Sequence, residues 1–267
     1  MSQPADPEDP DGGVHEHGTD SAGVPWEGRA FQPNPHAGDD GSAPEAFLVA
    51  LAAFRTGEVG QAAVVDSLRS ARLLMPLVAE RGETGVAPSG LTVDKTQELS
   101  IVTVAAPDGR TVLPAFSSVA AMQAWDATAR PIPTPMFRVA QAAVGEGTDL
   151  IVVDPGSETE FVIRRPAVWA LAQGIDWEPS FASPEVFAGL QESVGGELAV
   201  IDLAVEPGDP TARLRAPELV VKLALMQGLE QSELDAVLAR LAQRWASDDR
   251  IATLVDSLTV RLERSAP

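Results

Sequence analysis

An α+β fold is predicted by three features of this chain. Its element order, ααβββαβαββα, mixes hairpins with crossovers; a proline- and tryptophan-containing break runs from Gly174 to Pro184; and a shorter αββαβ pattern follows the break. The expected architecture is a mixed-sheet N-terminal domain over 44–180, followed by a smaller αββαβ sandwich domain over 181–267. At roughly 80 residues, the second unit is large enough for a core of its own.

The first residues are not expected to fold. Residues 1–23 are acidic, rich in Pro and Gly and almost free of apolar side chains, so burial cannot offset the entropy of ordering them. Residues 24–43 differ, because Trp26 and Phe31 are large apolar groups in an extended, proline-punctuated stretch. This arm is predicted to pack on a domain or on a partner.

From Pro44 the pattern becomes helical. Phe47, Leu48, Leu51 and Phe54 recur at the spacing of an amphipathic helix that ends at Gly57, and a second helix runs over about 58–70 around Val64, Val65 and Leu68. Residues 72–80 read as a strand, with Pro76 arguing for an edge or a bulge. A polar loop or wide hairpin at 81–97 leads to strand 98–105. The Pro107-Asp-Gly109 turn and the return strand 110–116 complete the clearest hairpin of the chain.

Ser117 or Ser118 is placed to cap a helix running to Asp126. The stretch Arg130-Pro-Ile-Pro-Thr-Pro135 is held extended by its prolines. A helix at 136–145 precedes strands 149–154 and 160–164, and Pro166 opens a further helix in its first turn. After the break, the expected elements are helix 184–194, strands 197–205 and 218–225, helix 232–246, a short helix near 248–254 and strand 257–262.

Composition narrows the chemistry. The 267 residues carry 39 acidic and 19 basic side chains, a net charge of −20, with no Cys and no Tyr. The three histidines, His15, His17 and His36, all lie before residue 44. The folded part is thereby left without the commonest general base, thiolate nucleophile and transition-metal ligands. His15 and His17 in an acidic tail make at most a weak metal site, and no metal or cofactor is expected. No segment has the basic excess that nucleic-acid backbone contacts require, and an anionic membrane surface would repel this charge. A basic protein partner would suit it. The N-terminus lacks the features of a signal peptide, and no apolar run approaches the roughly 20 residues of a membrane span, so a cytoplasmic protein is expected.

Several motifs in order carry a family likeness. Arg72-Leu-Leu-Met-Pro-Leu-Val, Asp94-Lys95, Glu98-Leu-Ser-Ile-Val-Thr-Val and Asp108-Gly-Arg-Thr-Val-Leu-Pro-Ala-Phe-Ser-Ser118 are four of them. Trp125, Ala129-Arg-Pro-Ile-Pro-Thr and Asp149-Leu-Ile-Val-Val-Asp-Pro155 follow. Together they resemble the N-terminal domain of SseB-type ("enhanced serine sensitivity") proteins over about 24–177. Trp26-Glu-Gly-Arg29 with Ala37-Gly-Asp-Asp-Gly41 is similar to the lead-in of actinobacterial members, and residues 181–264 look like the looser C-terminal region. The resemblance implies no defined catalytic activity. Some members are associated with sulfurtransferases, but this chain lacks the cysteine which that reaction needs.

The candidate binding residues are Trp26, Arg29, Phe31, Lys95, Ser117, Ser118 and Arg130. Lys95 could hold an anion or a partner carboxylate, or be a solvated loop lysine. Ser117 and Ser118 join a strand end to a helix start, where backbone N–H groups can meet an anion or simply be capped. Arg130, Arg164 and Arg165 could grip carboxylates bidentately or make ordinary surface ion pairs. Asp149 and Asp154 could form a carboxylate pair, although Asp154-Pro-Gly156 is explained as a turn. With no Gly-x-Ser-x-Gly elbow and no histidine base, a serine hydrolase is not expected. The reading is a non-enzymatic protein-binding protein, with a small-ligand sensor of amino acids or anions as the alternative and a carboxylate-based enzyme third. The oligomeric state is not legible.

Overall fold

The computed structural model describes residues 38–78, 85–86, 92–93, 102–106, 109–148 and 150–264. Asp40–Pro267 forms one compact unit with an α+β fold.

Helix α1 (Glu45–Thr56) starts after Pro44 and stops where Gly57 takes the left-handed backbone, φ 78°, that glycine adopts without strain. Its buried residues are Phe47 and Leu51, while Leu48 is exposed, so the apolar stripe is narrower than the spacing implied. Helix α2 (Gln61–Leu68) buries Val64, Val65 and Leu68. Strand β1 (Arg72–Leu77) follows, then the short antiparallel pair β2 (Gly85–Val86) and β3 (Thr92–Val93).

The expected hairpin is present. Strand β4 (Val104–Ala105) pairs antiparallel with β5 (Thr111–Ala115), although residues 98–101 lie outside the described residues. Helix α3 (Val119–Trp125) buries Met122, and Trp125 leans on Phe116 with ring centroids 5.2 Å apart. The proline-rich stretch is strand β6 (Arg130–Pro135), antiparallel to β1.

Strand β1 pairs in a ladder only with β6, in a two-stranded sheet, as a proline at position 76 predicts of an edge. On its other side Leu74 exchanges two backbone hydrogen bonds with Phe116, at 2.7 and 2.9 Å, an isolated bridge that Pro76, with no N–H to give on that side, does not extend. Because Leu74 turns its N–H and C=O toward Phe116, its partner Pro133 turns its imide nitrogen the opposite way. Pro131, Pro133 and Pro135 therefore spend their missing donors on the outer side of β6.

Helix α4 (Met136–Gly145) crosses to β7 (Ile151–Val153), which lies parallel to β5 and antiparallel to β8 (Phe161–Ile163). The sheet order is β4-β5-β7-β8. Period-two alternation splits its side chains. Leu113, Ile151, Val153, Phe161 and Ile163 face the main core built with α1, α2, α4 and α5 (Arg165–Gln173), while Val112, Val152 and Val162 face a small second cluster.

Helix α6 (Pro184–Val194) leads to β9 (Val200–Pro207), which begins later than expected. Residues 197–199 precede it because Glu197 is buried, with its carboxylate held by Arg240 and Arg244. Strand β10 (Leu219–Leu225) is central, antiparallel to β9 and parallel to β11 (Leu258–Arg264). Helix α7 (Gln231–Ser247) turns Val237, Leu241 and Trp245 onto this sheet, and α8 (Asp249–Leu254) closes its end.

Candidate functional site

Of the sites suggested by the sequence, Asp154, Ser117 and Ser118 are engaged in hydrogen bonds within the fold. Asp154 is fully buried, with φ 50°, a value that Asp tolerates better than most residues. Its carboxylate accepts from the Ser117 N–H at 2.7 Å, the Ser117 hydroxyl at 2.6 Å and the Thr159 hydroxyl at 2.7 Å. Ser117 is thus committed to Asp154, and Ser118 is the plain N-cap of α3, accepting from the Ala121 N–H at 3.1 Å. Arg130 is exposed on edge strand β6, and among the described residues no hydrogen bond or ion pair joins it to either serine. Trp26, Arg29, Phe31, Lys95 and Asp149 lie outside the described residues.

Arg164 and Arg165 are not surface contacts. Arg165 donates to the Ala252 and Val255 carbonyls at 2.9 and 2.5 Å, holding the end of α8. Arg164 is only 5% exposed and grips Asp209 at 2.7 Å and Asp256 at 3.0 Å. It also donates to the Ala216 carbonyl at 2.9 Å and the Ser257 hydroxyl at 3.3 Å. Sequence alone could not separate a buried arginine from a surface one, since the acids that neutralise it arrive from 45 and 92 residues away.

This buried network builds a loop that the sequence did not flag, Asp209-Pro-Thr-Ala-Arg-Leu-Arg-Ala-Pro217, between β9 and β10. Asp209 organises it: one carboxylate oxygen accepts the Leu214 N–H at 2.7 Å as well as Arg164, and its carbonyl accepts the Ala212 N–H at 3.0 Å. The Gln61 side chain of α2 also donates to that carbonyl, at 3.4 Å. The neck is closed by the Gly208 N–H on the Glu218 carbonyl at 2.8 Å. A Cβ at position 208 would stand 2.2 Å from the Pro217 carbonyl oxygen, so only glycine fits.

The loop runs along the free side of β8, where the Ala212 carbonyl accepts the Val162 N–H at 2.7 Å. Ala212 enters the main core and Leu214 the second cluster, one side chain on each face of the sheet. Both adopt left-handed backbone, φ 52° and 55°. Such values cost about 1 kcal/mol or more for a residue with a Cβ and persist only when the surroundings over-determine them. With Ala212 and Leu214 buried, the side chains between and after them come to the surface, Arg213 half-buried and Arg215 exposed.

Around these two arginines lie two open clefts that share them. One, of about 920 Å³, adds Arg110, Glu160 and Asp256; the other, of about 460 Å³, adds Phe54 and Arg55. Together these two neighbouring clefts, an arginine-lined trough divided by Arg213 and Arg215, carry four arginines against two acids in a chain of net charge −20. Arg213 spends Nη2 on the Ser157 and Glu158 carbonyls at 3.2 and 2.9 Å, leaving Nη1 and Nε without a partner among the described residues. Arg215 is exposed, and no acid among the described residues pairs with it. Burial, and then the neighbouring Arg213 guanidinium, pull the Arg55 pKa below the usual arginine value. Positive charge here is in local excess. Arg110 is anchored differently, its Nη1 donating to both carboxylate oxygens of Asp256 at 2.9 and 3.1 Å.

Among the described residues, no group of three or more His, Cys, Asp or Glu side chains is placed to hold a metal ion. No helix among them is long and apolar enough to cross a membrane. Residues 45–170 match the family model of the SseB protein N-terminal domain. No curated protein and no solved structure matches the chain.

Proposed function

We propose, from the premise that the chain belongs to the SseB family through residues 45–170, that it is a non-enzymatic cytosolic protein that binds another protein through the arginine-lined trough. One observation carries this reading. A loop with two strained non-glycine residues, a buried Asp209–Arg164 pair and a glycine that nothing can replace is built so that Arg213 and Arg215 face outward. Backbone strain held in place by buried contacts is typical of binding and switch segments. Arginine forks are well suited to recognition, because they offer planar paired donors at small reorganisation cost.

The same residues speak against chemistry. The buried carboxylate Asp154 has its oxygens filled by Ser117 and Thr159, and no His, Cys or Tyr follows residue 43. A basic partner was the expectation from the net charge, but in the trough the sign of that charge is reversed. Tagged full-length protein, Arg215→Glu and the control Arg261→Glu would be used to capture proteins from a lysate of the native host. A protein retained by the wild type and the control but lost with Arg215→Glu is the expected result. The same retained set for all three baits would end this reading.

A second reading, a sensor of small anions or amino acids, is favoured by the size of the larger cleft. Its volume of about 920 Å³ lies in the range of roughly 300–1,000 Å³ typical of small-molecule sites. A thermal-shift series with amino acids and anions tests it. No stabilisation at millimolar ligand would exclude any useful affinity.

A further inference from the structure

We infer that the smaller cleft is a recognition site for a phosphorylated side chain of the protein partner, whose phosphate monoester sits among Arg55, Arg213 and Arg215. The inference rests on the protein-binding reading and names the chemical group that is recognised.

The lining of the cleft carries the argument. Phe54, Arg55, Pro210, Thr211, Arg213 and Arg215 surround about 460 Å³ with three guanidiniums and no carboxylate. That arrangement runs against a chain with 39 acidic and 19 basic side chains. Arg55 gives Nη2 to the Glu160 carbonyl at 3.4 Å, and Arg213 gives Nη2 to the Ser157 and Glu158 carbonyls. The Nε and Nη1 donors of both have no partner among the described residues, and no acid among them pairs with Arg215. The positive charges also feel one another. Burial, and then the Arg213 guanidinium, pull the Arg55 pKa down, while Glu158 and Glu160 act the other way from outside the lining. An anion among the three guanidiniums relieves that repulsion.

The count of charges and oxygens selects the anion. A carboxylate brings one charge and two oxygens, which a single guanidinium fork satisfies. A phosphate monoester brings a charge of about −1.5 to −2 at neutral pH and three terminal oxygens. Three arginines on one cleft exceed what a carboxylate can use and match a phosphate. Two features favour an ester on a side chain over free phosphate. The cleft is much larger than a single phosphate fills, and part of its wall is apolar. That part is Pro210 and Phe54, whose ring is pinned edge-on against Phe161 of the main core at 5.9 Å. Inorganic phosphate has nothing to place there, whereas a phosphorylated residue has its own carbon atoms. Arg55 and Arg213 are each tethered to backbone carbonyls, which lowers the entropy cost of engaging the phosphate.

The test is a titration of the full-length chain with blocked phosphoserine (N-acetyl, N-methylamide), followed by phosphorus NMR. Blocked glutamate and inorganic phosphate are compared in parallel. The expected result is a saturable shift of the phosphoserine resonance, with blocked glutamate and inorganic phosphate each bound at least about tenfold more weakly. Arg55→Gln and Arg215→Gln should each weaken phosphoserine at least about tenfold, as the loss of one charge-assisted contact implies, and Arg261→Gln should not. Arg55 and Arg215 are exposed, so loss of fold does not confound these variants, and the thermal midpoint of each provides the check. In the second arm, host lysate is treated with phosphatase before capture. The protein whose retention depends on Arg215 should then be lost, and blocked phosphoserine should elute it from untreated lysate.

No saturable shift, equal affinity for blocked glutamate or inorganic phosphate, or an affinity unchanged by Arg55→Gln overturns the assignment. The two proposals fail separately. If blocked phosphoserine does not bind and the Arg215-dependent protein survives phosphatase treatment, the phosphorylated side chain is wrong and the protein-binding reading stands. If blocked phosphoserine binds through Arg55 and Arg215 but no protein is captured, the protein-binding reading fails and the phosphate ester belongs to a small molecule.

Discussion

Replacing Arg164 with methionine should be among the most damaging single changes in this molecule. Its guanidinium, 5% exposed, makes two ionic and two neutral hydrogen bonds, and it neutralises Asp209 and Asp256, whose side chains are 2% and 1% exposed. Methionine fills much of the same volume, so a cavity contributes little. The loss comes from the two acids. Asp256 keeps Arg110, but Asp209 keeps only the Leu214 N–H and a 3.3 Å bond from Thr211. Breaking a buried pair in this way costs about 3–5 kcal/mol, a large part of the roughly 5–15 kcal/mol of a typical fold. The assay is equilibrium urea unfolding, with hydrogen exchange at the Leu214 and Val162 amides as a local readout. Arg164→Lys should restore only part of the loss, because a point charge cannot serve both acids and the Ala216 carbonyl. A loss under about 1 kcal/mol for Arg164→Met, or unchanged exchange at Leu214, would refute the view that this arginine builds the loop.

Asp154→Ala should cost more than about 3 kcal/mol by urea unfolding, since it removes charge-assisted bonds and leaves the buried Ser117 N–H unpaired. Asp154→Asn should cost clearly less, because it keeps one acceptor and tolerates positive φ; equal losses would contradict the assigned role. Gly208→Ala should lose about 1–3 kcal/mol from overpacking against the Pro217 carbonyl, and no change would mean that the neck is looser than drawn. Burial holds the Glu218 carboxyl above the ordinary glutamate value, although the Asp256 N–H donates to it. A raised folded pKa means that its contribution is full below the unfolded value of about 4.3 and is lost as pH rises through the folded value. Unfolding from pH 4 to pH 8 should therefore show Glu218→Gln gaining on the wild type as pH increases. A gain in the opposite direction would show the sign to be wrong.

Local rules made much of the fold legible. The stripe at Phe47 and Leu51, the Ser118 cap, Pro166 in the first turn of α5 and the Val237–Leu241–Trp245 face of α7 each follow from spacing and cap chemistry alone. Pro76 marked an edge strand correctly, but the isolated bridge from Leu74 to Phe116, 42 residues on, was not legible from it. The trough was illegible for a stronger reason. Its arginines come from α1, the β4–β5 turn and the 209–217 loop, and nothing local to Arg55 or Arg110 announces a shared surface. A trace did exist in the loop, where Ala212 and Leu214 alternate with Arg213 and Arg215 between Asp209-Pro210 and Pro217. Read as a turn opener followed by alternate burial, it marks an anchored segment presenting two guanidiniums.

The central claim, that the trough is where this protein meets another, is tested most directly by photocrosslinking in cells of the native host. A photoreactive residue would replace Pro210, exposed on the wall of the smaller cleft, and in a control Gln141, exposed on α4. The expected outcome is one discrete crosslinked protein from position 210, lost when Arg215→Glu is added, and absent from position 141. Equal crosslinking from both positions, or none from position 210, would contradict the account.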